Sequence, residues 1–497
     1  MLDLEVMKIT FYGSAGGNVI PSRLLLHGQD PDDSTLVDCG DAIPEKGEKK
    51  KDIDFSPLIP SDVRNVLLTH GHTDHVGALP SFVQHGFTGE IISTEPTKQI
   101  TEALLRDNYR EDLVDDVFDL YARSKEYLDE FSLSPNVTAT FYPAMGHILG
   151  ASAILLELQK EGLKVLFSGD LGNTNKNMLE VSGEVPEADI VVIESTYGRR
   201  EHHPDFEESL SALYKGINDT YNNSGNFYIP VLSINRLQEA LYYINMGIER
   251  GLIPRDVNVV VDSTLGEVIT EIYNKKSNRK YYSDEAKDFF SNFSKAYPFT
   301  FRNHLNPKGR NIVLASSGLD GLRGRFRKYI KELSSDEKSS VAVVSHTLEG
   351  SLLDDIKAGK HQIGLNGNSL EFKAKSFNLS GFSSHADATQ LLSWLEKTKA
   401  KYVFLVHGEN DSRDKLKEMI VERGLCPREN IFTPALLEEV DLTNLAEYAS
   451  KAKTISSSQT PVASTIKEEP SASKTNEDNG TKVTLFGQEL EFSKPLQ

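Results

Sequence analysis

The chain has 497 residues, 38% of them hydrophobic and 26% charged, with a formal net charge of −19. That length exceeds one ordinary domain and predicts two domains plus an appendage. The acidity excludes a protein that coats nucleic acid by bulk electrostatics, because neutralising phosphates takes Lys and Arg. It leaves room for a nuclease whose positive charge comes from metal ions in a cleft. No apolar run reaches the roughly 18 residues of a spanning helix, and the stretch from Met1 to Lys8 has neither a basic nor an apolar signal region, so a cytoplasmic location and no membrane are expected. Cys39 and Cys426 are too few for a disulfide framework or a cysteine-zinc site, and read as reduced packing residues.

In chain order, Lys8 to Tyr12, Arg23 to Leu26 and Thr35 to Val37 read as short strands bounded by Gly, Pro or Asp. Gly13, Gly16 and Gly17 match neither phosphate-loop pattern and read as a turn, and Glu45 to Lys51 reads as an exposed loop. The apolar run Val66-Leu67-Leu68 then stops at Thr69-His70-Gly71-His72-Thr73-Asp74-His75, which packs three imidazoles and a carboxylate into six positions. Val76, Leu79, Phe82 and Val83 recur at helical spacing, so Asp74 and His75 are expected to open a helix. His70 and His72 on an extended loop can converge on one ion while Asp74 and His75 face a second. Imidazole with carboxylate suits zinc or a similar transition metal.

Leu104, Leu105, Leu113, Val117 and Leu120 predict one or two surface helices between Glu95 and Phe131, packed beside the site. Strands resume at Asn136 to Tyr142, Ala153 to Leu158, Lys164 to Phe167 and Ile190 to Ile193, and His147, Asp170 and Glu194 follow strand ends. From about residue 200 to 375 the rhythm changes. Strands at Phe227 to Leu232, Val257 to Val261, Ile312 to Ala315 and Val341 to Val344 alternate with helices at Leu237 to Ile248, Glu267 to Asn274, Leu322 to Leu333 and Leu352 to Ala358. That alternation predicts a parallel sheet covered by helices, inserted into the first fold. The first fold returns with Phe377 to Gly381, a helix around Trp394, a strand at Tyr402 to Val406 and a helix near Lys415 to Arg423. The expected boundaries are 1–200 and 375–450 for the host fold, 201–374 for the insert, 451–481 for a disordered polar linker and 482–497 for a short hairpin that could meet a partner.

His147, Asp170, His385 and His407 are all expected at strand ends in similar Gly- or Ser-rich settings, where separated residues can converge. A chemically complete arrangement puts His70, His72 and His147 on one metal and Asp74, His75 and His407 on the other, with Asp170 bridging. A water between them, its pKa lowered by both cations, would attack phosphorus. His385 is left as general acid for the departing oxygen. Asp38 and Glu194 read as acceptors that orient imidazole N–H groups, Glu194 toward His385. Arg199 and Arg200 after the Glu194 strand, and Arg323, Arg325 and their basic neighbours in the insert, could line a cleft that tracks a phosphate backbone, with Phe326 for stacking.

These motifs resemble, in order, those of the metallo-β-lactamase superfamily: Asp38, then His70, His72, Asp74 and His75, then His147, then Asp170. Glu194-Ser195-Thr196-Tyr197-Gly198, Ser380 to Asp387 and Phe404 to Glu409 are similar to the three motifs of its β-CASP nucleic-acid-processing branch, as in the cleavage and polyadenylation endonuclease and RNase J groups. The resemblance spans residues 8 to about 445. It implies an α/β fold, a metallo-β-lactamase αββα sandwich with an inserted parallel-sheet β-CASP domain, and a cleft holding two Zn2+, with Mn2+ as the alternative. It also implies single-stranded RNA as substrate, because a histidine such as His407 in the third motif is typical of RNA-acting members. Ser380 and Ser383 join the arginines as candidate substrate contacts. Two stretches depart from the family pattern, Ser14 to Arg23 and Ser317 to Leu322, and both are expected to border the substrate channel.

The leading expectation is therefore a metal-dependent ribonuclease leaving 5′-phosphate and 3′-hydroxyl ends. The competing readings are a metallo-hydrolase of a small ester, thioester or lactam, a DNA-acting β-CASP nuclease, and an RNA-binding subunit without catalysis. Endonuclease or 5′-exonuclease action, and monomer or homodimer, are left open by the residues.

Overall fold

The computed structural model describes residues 6–42, 53–121, 123–181, 183–288, 305–306, 308–344, 347–365 and 368–450, and the backbone of 300–301, 483–485 and 488–490. The expected loop Glu45 to Lys51 and the expected linker 451–481 fall outside the described residues. The expected C-terminal hairpin is represented by Val483–Leu485 paired antiparallel with Gln488–Leu490.

The first sheet runs, in spatial order, Glu439–Asp441, Lys8–Phe11, Leu24–His27, Thr35–Val37, Asn65–Leu67, Glu90–Thr94 and Arg123–Lys125. The second runs Ile431–Phe432, Tyr402–Val406, Ile190–Glu194, Leu163–Phe167, Ser152–Leu158, Val137–Pro143 and Glu130–Ser132. Because side chains alternate along a strand, each sheet has two apolar faces to bury. Ile9, Phe11, Leu24, Leu26, Val37 and Leu67 of the first sheet share a core with Phe141, Ile154, Leu156, Phe167, Val192 and Phe404 of the second. The alternate positions, Leu36, Val66 and Ile91 on one side and Leu155, Val191 and Leu405 on the other, pack with helix residues Leu79, Phe82 and Ile100, or Leu391, Trp394 and Leu416. The result is helix, sheet, sheet, helix.

The third sheet is wholly parallel, ordered Thr300–Phe301, Asn258–Asp262, Asn311–Ser316, Phe227–Val231, Ser340–Val343 and Lys375–Asn378. Its inner strands Phe227–Val231, Asn311–Ser316 and Ser340–Val343 are buried on both faces, as parallel sheets require. Phe227, Ile229 and Ile312 face one core, and Tyr228, Val313 and Val341 face another with Phe326, Ile330 and Leu352.

Several expectations need correction. Lys375–Asn378 is the edge strand of the third sheet rather than the return of the first fold, because its backbone pairs with Ser340–Val343. The helix expected from Leu322 to Leu333 is instead a single 3-10 turn, Phe326–Tyr329, followed by Ile330–Ser335. Gly321 and Gly324, at φ +79° and +75°, break it from the N-terminal side. The helix expected after His75 is split into Thr73–Val76 and Leu79–Gln84. The helix Phe206–Asn222 and the strand Glu90–Thr94 were not foreseen from the sequence.

Candidate metal centre and active site

The acidic and imidazole side chains proposed for the centre lie at or just beyond the carboxyl ends of strands in the two facing sheets, in the short helix Thr73–Val76, or on loops packed against those ends. Asn65–Leu67 leads to His70 and His72, Val137–Pro143 to His147, Leu163–Phe167 to Asp170, and Tyr402–Val406 to His407. Turns with left-handed backbone bring them together: Asp38 and His407 have φ of +62° and +51°. Gly172 is required by close approach, since a Cβ there would sit 2.0 Å from the Met145 carbonyl oxygen and 2.4 Å from the His147 nitrogen.

Two donor sets result. His70, His72, His147 and Asp170 form one and Asp74, His75, His407 and Asp170 the other, each with its ligand atoms within 4.8 Å of one another. In the first set His72 Nδ1 lies 3.0 Å from His70 Nε2 and 3.3 Å from His147 Nε2. Asp170 Oδ2 lies 3.5 Å from His70 Nε2 and 3.6 Å from His147 Nε2. In the second set Asp170 Oδ1 lies 3.4 Å from His75 Nε2 and 3.7 Å from His407 Nδ1, and Asp74 Oδ2 lies 3.4 Å from His407 Nε2. The two oxygens of Asp170 thus face different sets.

The far ring nitrogens are held in place. Asp38 Oδ2 takes His75 Nδ1 at 2.7 Å, and the same carboxylate accepts from the Thr69 backbone N–H at 2.8 Å and from its hydroxyl. Thr69 Oγ1 also sits 3.0 Å from His70 Nδ1, and Thr196 Oγ1 sits 3.1 Å from His407 Nδ1. Thr69 and Thr196 were not singled out from the sequence, although both lie inside the quoted motifs.

Burial drives His70 and His147 well below the usual imidazole pKa and His72 down to about 4, reinforced for His70 and His147 by neighbouring imidazoles. Burial alone would do the same to His75 and His407. The carboxylates outweigh it: Asp170 and Asp38 hold His75 well above its usual value, and Asp170 and Asp74 raise His407 to about 8. His75 Nε2 and Asp170 Oδ1 are buried without a hydrogen-bond partner among the described residues. Converging lone pairs and orphaned buried atoms fit a cation in each set, and the nitrogen and oxygen donors fit zinc or manganese. A cavity of about 20 Å³ lined by Asp38, Thr69, His75, Asp170 and His407 adjoins the second set. A larger one, about 530 Å³, lies at the opposite strand ends among Asp32, Arg64, Asn65 and Glu90, away from this chemistry.

His385 stands beside the centre, 22% exposed, with Nε2 3.9 Å from Asp170 Oδ2. Its Nδ1 faces Glu194 at 3.2 and 3.3 Å, and Glu194 is itself fixed by the Leu171 N–H at 2.7 Å. Burial lowers the His385 pKa, but the Glu194 carboxylate outweighs it and the net shift is upward. His203, also missed from the sequence, holds the His385 carbonyl through Nε2 at 2.9 Å.

The remaining candidates are placed as follows. Ser380 bonds the Asn378 side chain, and Ser383 is buried with its carbonyl accepting from Asn173. Arg199 pairs with Asp411 and with Glu409, so it is engaged within the chain. Arg200 stacks 4.5 Å over the Tyr197 ring. Arg323 pairs with Asp320, and Arg325 lies 4.0 Å from Asp262, at the carboxyl end of the third sheet. Ser14 to Arg23 was expected to border the substrate channel. The segment supports the centre: the Ser14 carbonyl accepts from His407 N–H at 2.8 Å and Ser22 N–H donates to the Asp74 carbonyl at 2.8 Å. Ser317 to Leu322 follows Asn311–Ser316 in the third sheet. No helix among the described residues is long and apolar enough to cross a membrane.

Family models match in three consecutive pieces: the metallo-beta-lactamase superfamily over residues 24–215, the Beta-Casp domain over 237–356, and the Zn-dependent metallo-hydrolase RNA specificity domain over 369–434. A protein named as a ribonuclease from Thermus thermophilus is 29% identical over 437 residues, 84% of this chain and 97% of that one. A protein named as a transcription termination factor from Methanocaldococcus jannaschii is 26% identical, covering 85% and 70%. A Schizosaccharomyces pombe protein named as an endoribonuclease is 28% identical over 74% of this chain and 50% of its own length. A crystal structure of an Enterococcus faecalis protein of unknown function aligns over 88% of this chain and 100% of its own at a TM-score of 0.54 and 14% identity, a likeness of fold alone. With the motifs, the fold and the matched domains in agreement, the chain belongs to the β-CASP ribonuclease family of the metallo-β-lactamase superfamily.

Proposed function

We propose that this chain hydrolyses phosphodiester bonds of single-stranded RNA in the cytoplasm and leaves a 5′-phosphate and a 3′-hydroxyl. The observation that carries the reading is the division of Asp170, one oxygen toward His70 and His147 and the other toward His75 and His407. His70, His72, His147 and Asp170 would hold one divalent cation and Asp74, His75, His407 and Asp170 a second, with zinc favoured by the donors and manganese the alternative. Bound there, the two cations supply Lewis acidity and positive charge for a phosphodiester in a chain of net charge −19.

The chain's own groups do the rest. Asp38, Thr69 and Thr196 fix which ring nitrogen each histidine turns inward. Glu194, locked by backbone N–H groups, holds Nδ1–H of His385 and stabilises its cationic form. His385 Nε2 is then the nitrogen that carries a proton to the departing 3′-oxygen. Arg200 over Tyr197 supplies charge and an aromatic face next to that acid.

The test is end-labelled single-stranded RNA and DNA, each incubated with wild type, His385→Ala and Asp74→Ala, with and without chelator. RNA cutting that ends at a 5′-phosphate, stops with chelator and is lost in both variants is the expected result. Intact RNA, or cutting that ignores chelator, overturns the reading.

A further inference from the structure

The third sheet's helices reach back to the loop that carries His147 through two side chains. Asn235 precedes the helix Arg236–Glu249 and holds φ +64°, a left-handed conformation that is strained for a residue with a Cβ. It is 1% exposed. Its amide donates from Nδ2 to the His147 carbonyl at 3.0 Å, and its Oδ1 accepts from the Tyr273 hydroxyl at 3.0 Å. The Tyr273 oxygen in turn accepts from the Leu149 N–H at 3.1 Å. Asn235 and Tyr273, from two helices that flank the parallel sheet, therefore clasp the loop 147–149 by its backbone on either side of Ile148. Behind them the same helix is pinned to the host fold by a buried pair, Lys176 Nζ to Glu239 Oε1 at 2.6 Å, with Arg236 on the other carboxylate oxygen at 2.7 Å.

His147 needs such an anchor more than its neighbours do. The far nitrogens of His70, His75 and His407 each meet a Thr or Asp oxygen, whereas His147 Nδ1 is buried with no hydrogen-bond partner among the described residues. A ligand whose ring is not held at its far nitrogen must be positioned through its backbone. Strain at Asn235 is tolerated where the hydrogen bonds it allows are worth more than the strain costs.

We infer that Asn235 and Tyr273 are positioning residues through which the inserted domain sets His147 and thereby the cation affinity of the first donor set, leaving the second set alone. The inference rests on the cation sites proposed above.

The experiment uses the full chain loaded with zinc. Metal content is measured by elemental analysis after dialysis, and release is followed against a chromogenic chelator of graded concentration. Three variants are compared: Tyr273→Phe, Asn235→Ala and Asn235→Gly. The glycine variant removes the amide while relieving the strained backbone, whereas alanine keeps the strain without the hydrogen bonds that offset it. Wild type should hold two equivalents; Tyr273→Phe and Asn235→Gly should release one of them at roughly 10-fold lower chelator and keep the other, the scale expected for a lost orienting contact. Unchanged thermal unfolding of the apo forms separates this from general destabilisation. Two equivalents released as in wild type from both variants would overturn the inference while sparing the sites. A wild-type chain that retains no zinc would overturn the sites, and the inference with them.

Discussion

The two donor sets share Asp170 and differ in almost everything else. The first gathers three imidazoles that burial keeps neutral, with His72 down at about 4. The second puts two imidazoles among Asp38, Asp74 and Asp170, which hold His75 well above its usual pKa and His407 at about 8. One set is ready to accept a cation as it stands; the other must release protons to do so. The contrast teaches that histidine count says less about a metal site than the carboxylates behind the histidines.

The change with the largest effect is the one that removes what both sets share. Asp170→Asn keeps size and burial but strips the charge that faces His70 and His75 alike, so both equivalents should bind weakly. RNA cleavage should fall by roughly 10⁴-fold, the scale of losing a central catalytic group. Elemental analysis of the dialysed variant checks it, and a variant that still holds two equivalents would break the idea of a shared ligand.

His385→Ala should cost about 10³-fold in kcat, the range of a lost general acid, while leaving both equivalents in place. Glu194→Gln should follow the same pattern more weakly and move the alkaline limb of the pH–rate profile to lower pH. Glu194 raises His385, so its removal lets burial pull the imidazole pKa down, and as pH rises the protonated acid is lost earlier than in wild type.

The ligand cluster was legible before the fold because its information is local. His70 to His75 end one strand, and His147, Asp170 and His407 each follow another, so apolar runs that stop at a metal donor announce themselves. What places them together was not legible. Lys8–Phe11 pairs with Glu439–Asp441, and Ile190–Glu194 with Tyr402–Val406, partners separated by most of the chain or by the whole insert. Helical periodicity also misled where glycine intervened: Leu322 to Leu333 has the apolar spacing of a helix, but Gly321 and Gly324 stand in left-handed backbone at its start. Asn235 and the segment Ser14 to Arg23 carry no local sign of their role, since both act through backbone groups of distant residues.

Asp38→Asn sharpens the contrast between the sets. Asp38 bonds His75 directly and reaches the first set only through Thr69, so the second equivalent should weaken by about 10–100-fold and the first by much less. pH offers the same discrimination without mutation. His75 and His407 are raised, so below about 8 protons compete for the second set, whereas His70, His72 and His147 stay neutral until far lower pH. Dialysis at pH 8 should leave two equivalents and dialysis near pH 5.5 about one. Proton release during zinc titration at pH 7 should accompany the second equivalent more than the first. Parallel loss of both would remove the distinction.

The smallest expected effects concern the neighbouring arginines, which look alike in sequence and differ in the fold. Arg199 is engaged by Asp411 and Glu409, so an RNA phosphate would have to displace carboxylates already in place. An exposed pair of that kind contributes little, and Arg199→Ala should change KM by less than about twofold. Arg200 has no carboxylate within ion-pair distance among the described residues, lies over Tyr197, and sits near enough to Lys357 that the two charges lower the lysine's pKa after burial has done so. Two cations this close, only partly offset by Asp354, favour a phosphate there. Arg200→Ala should therefore raise KM by roughly fivefold and reduce the salt dependence by about one unit of slope. Equal effects at the two positions would mean that the Asp411 pair opens on RNA binding, and that the charge of this rim, rather than the placement of each arginine, governs substrate affinity.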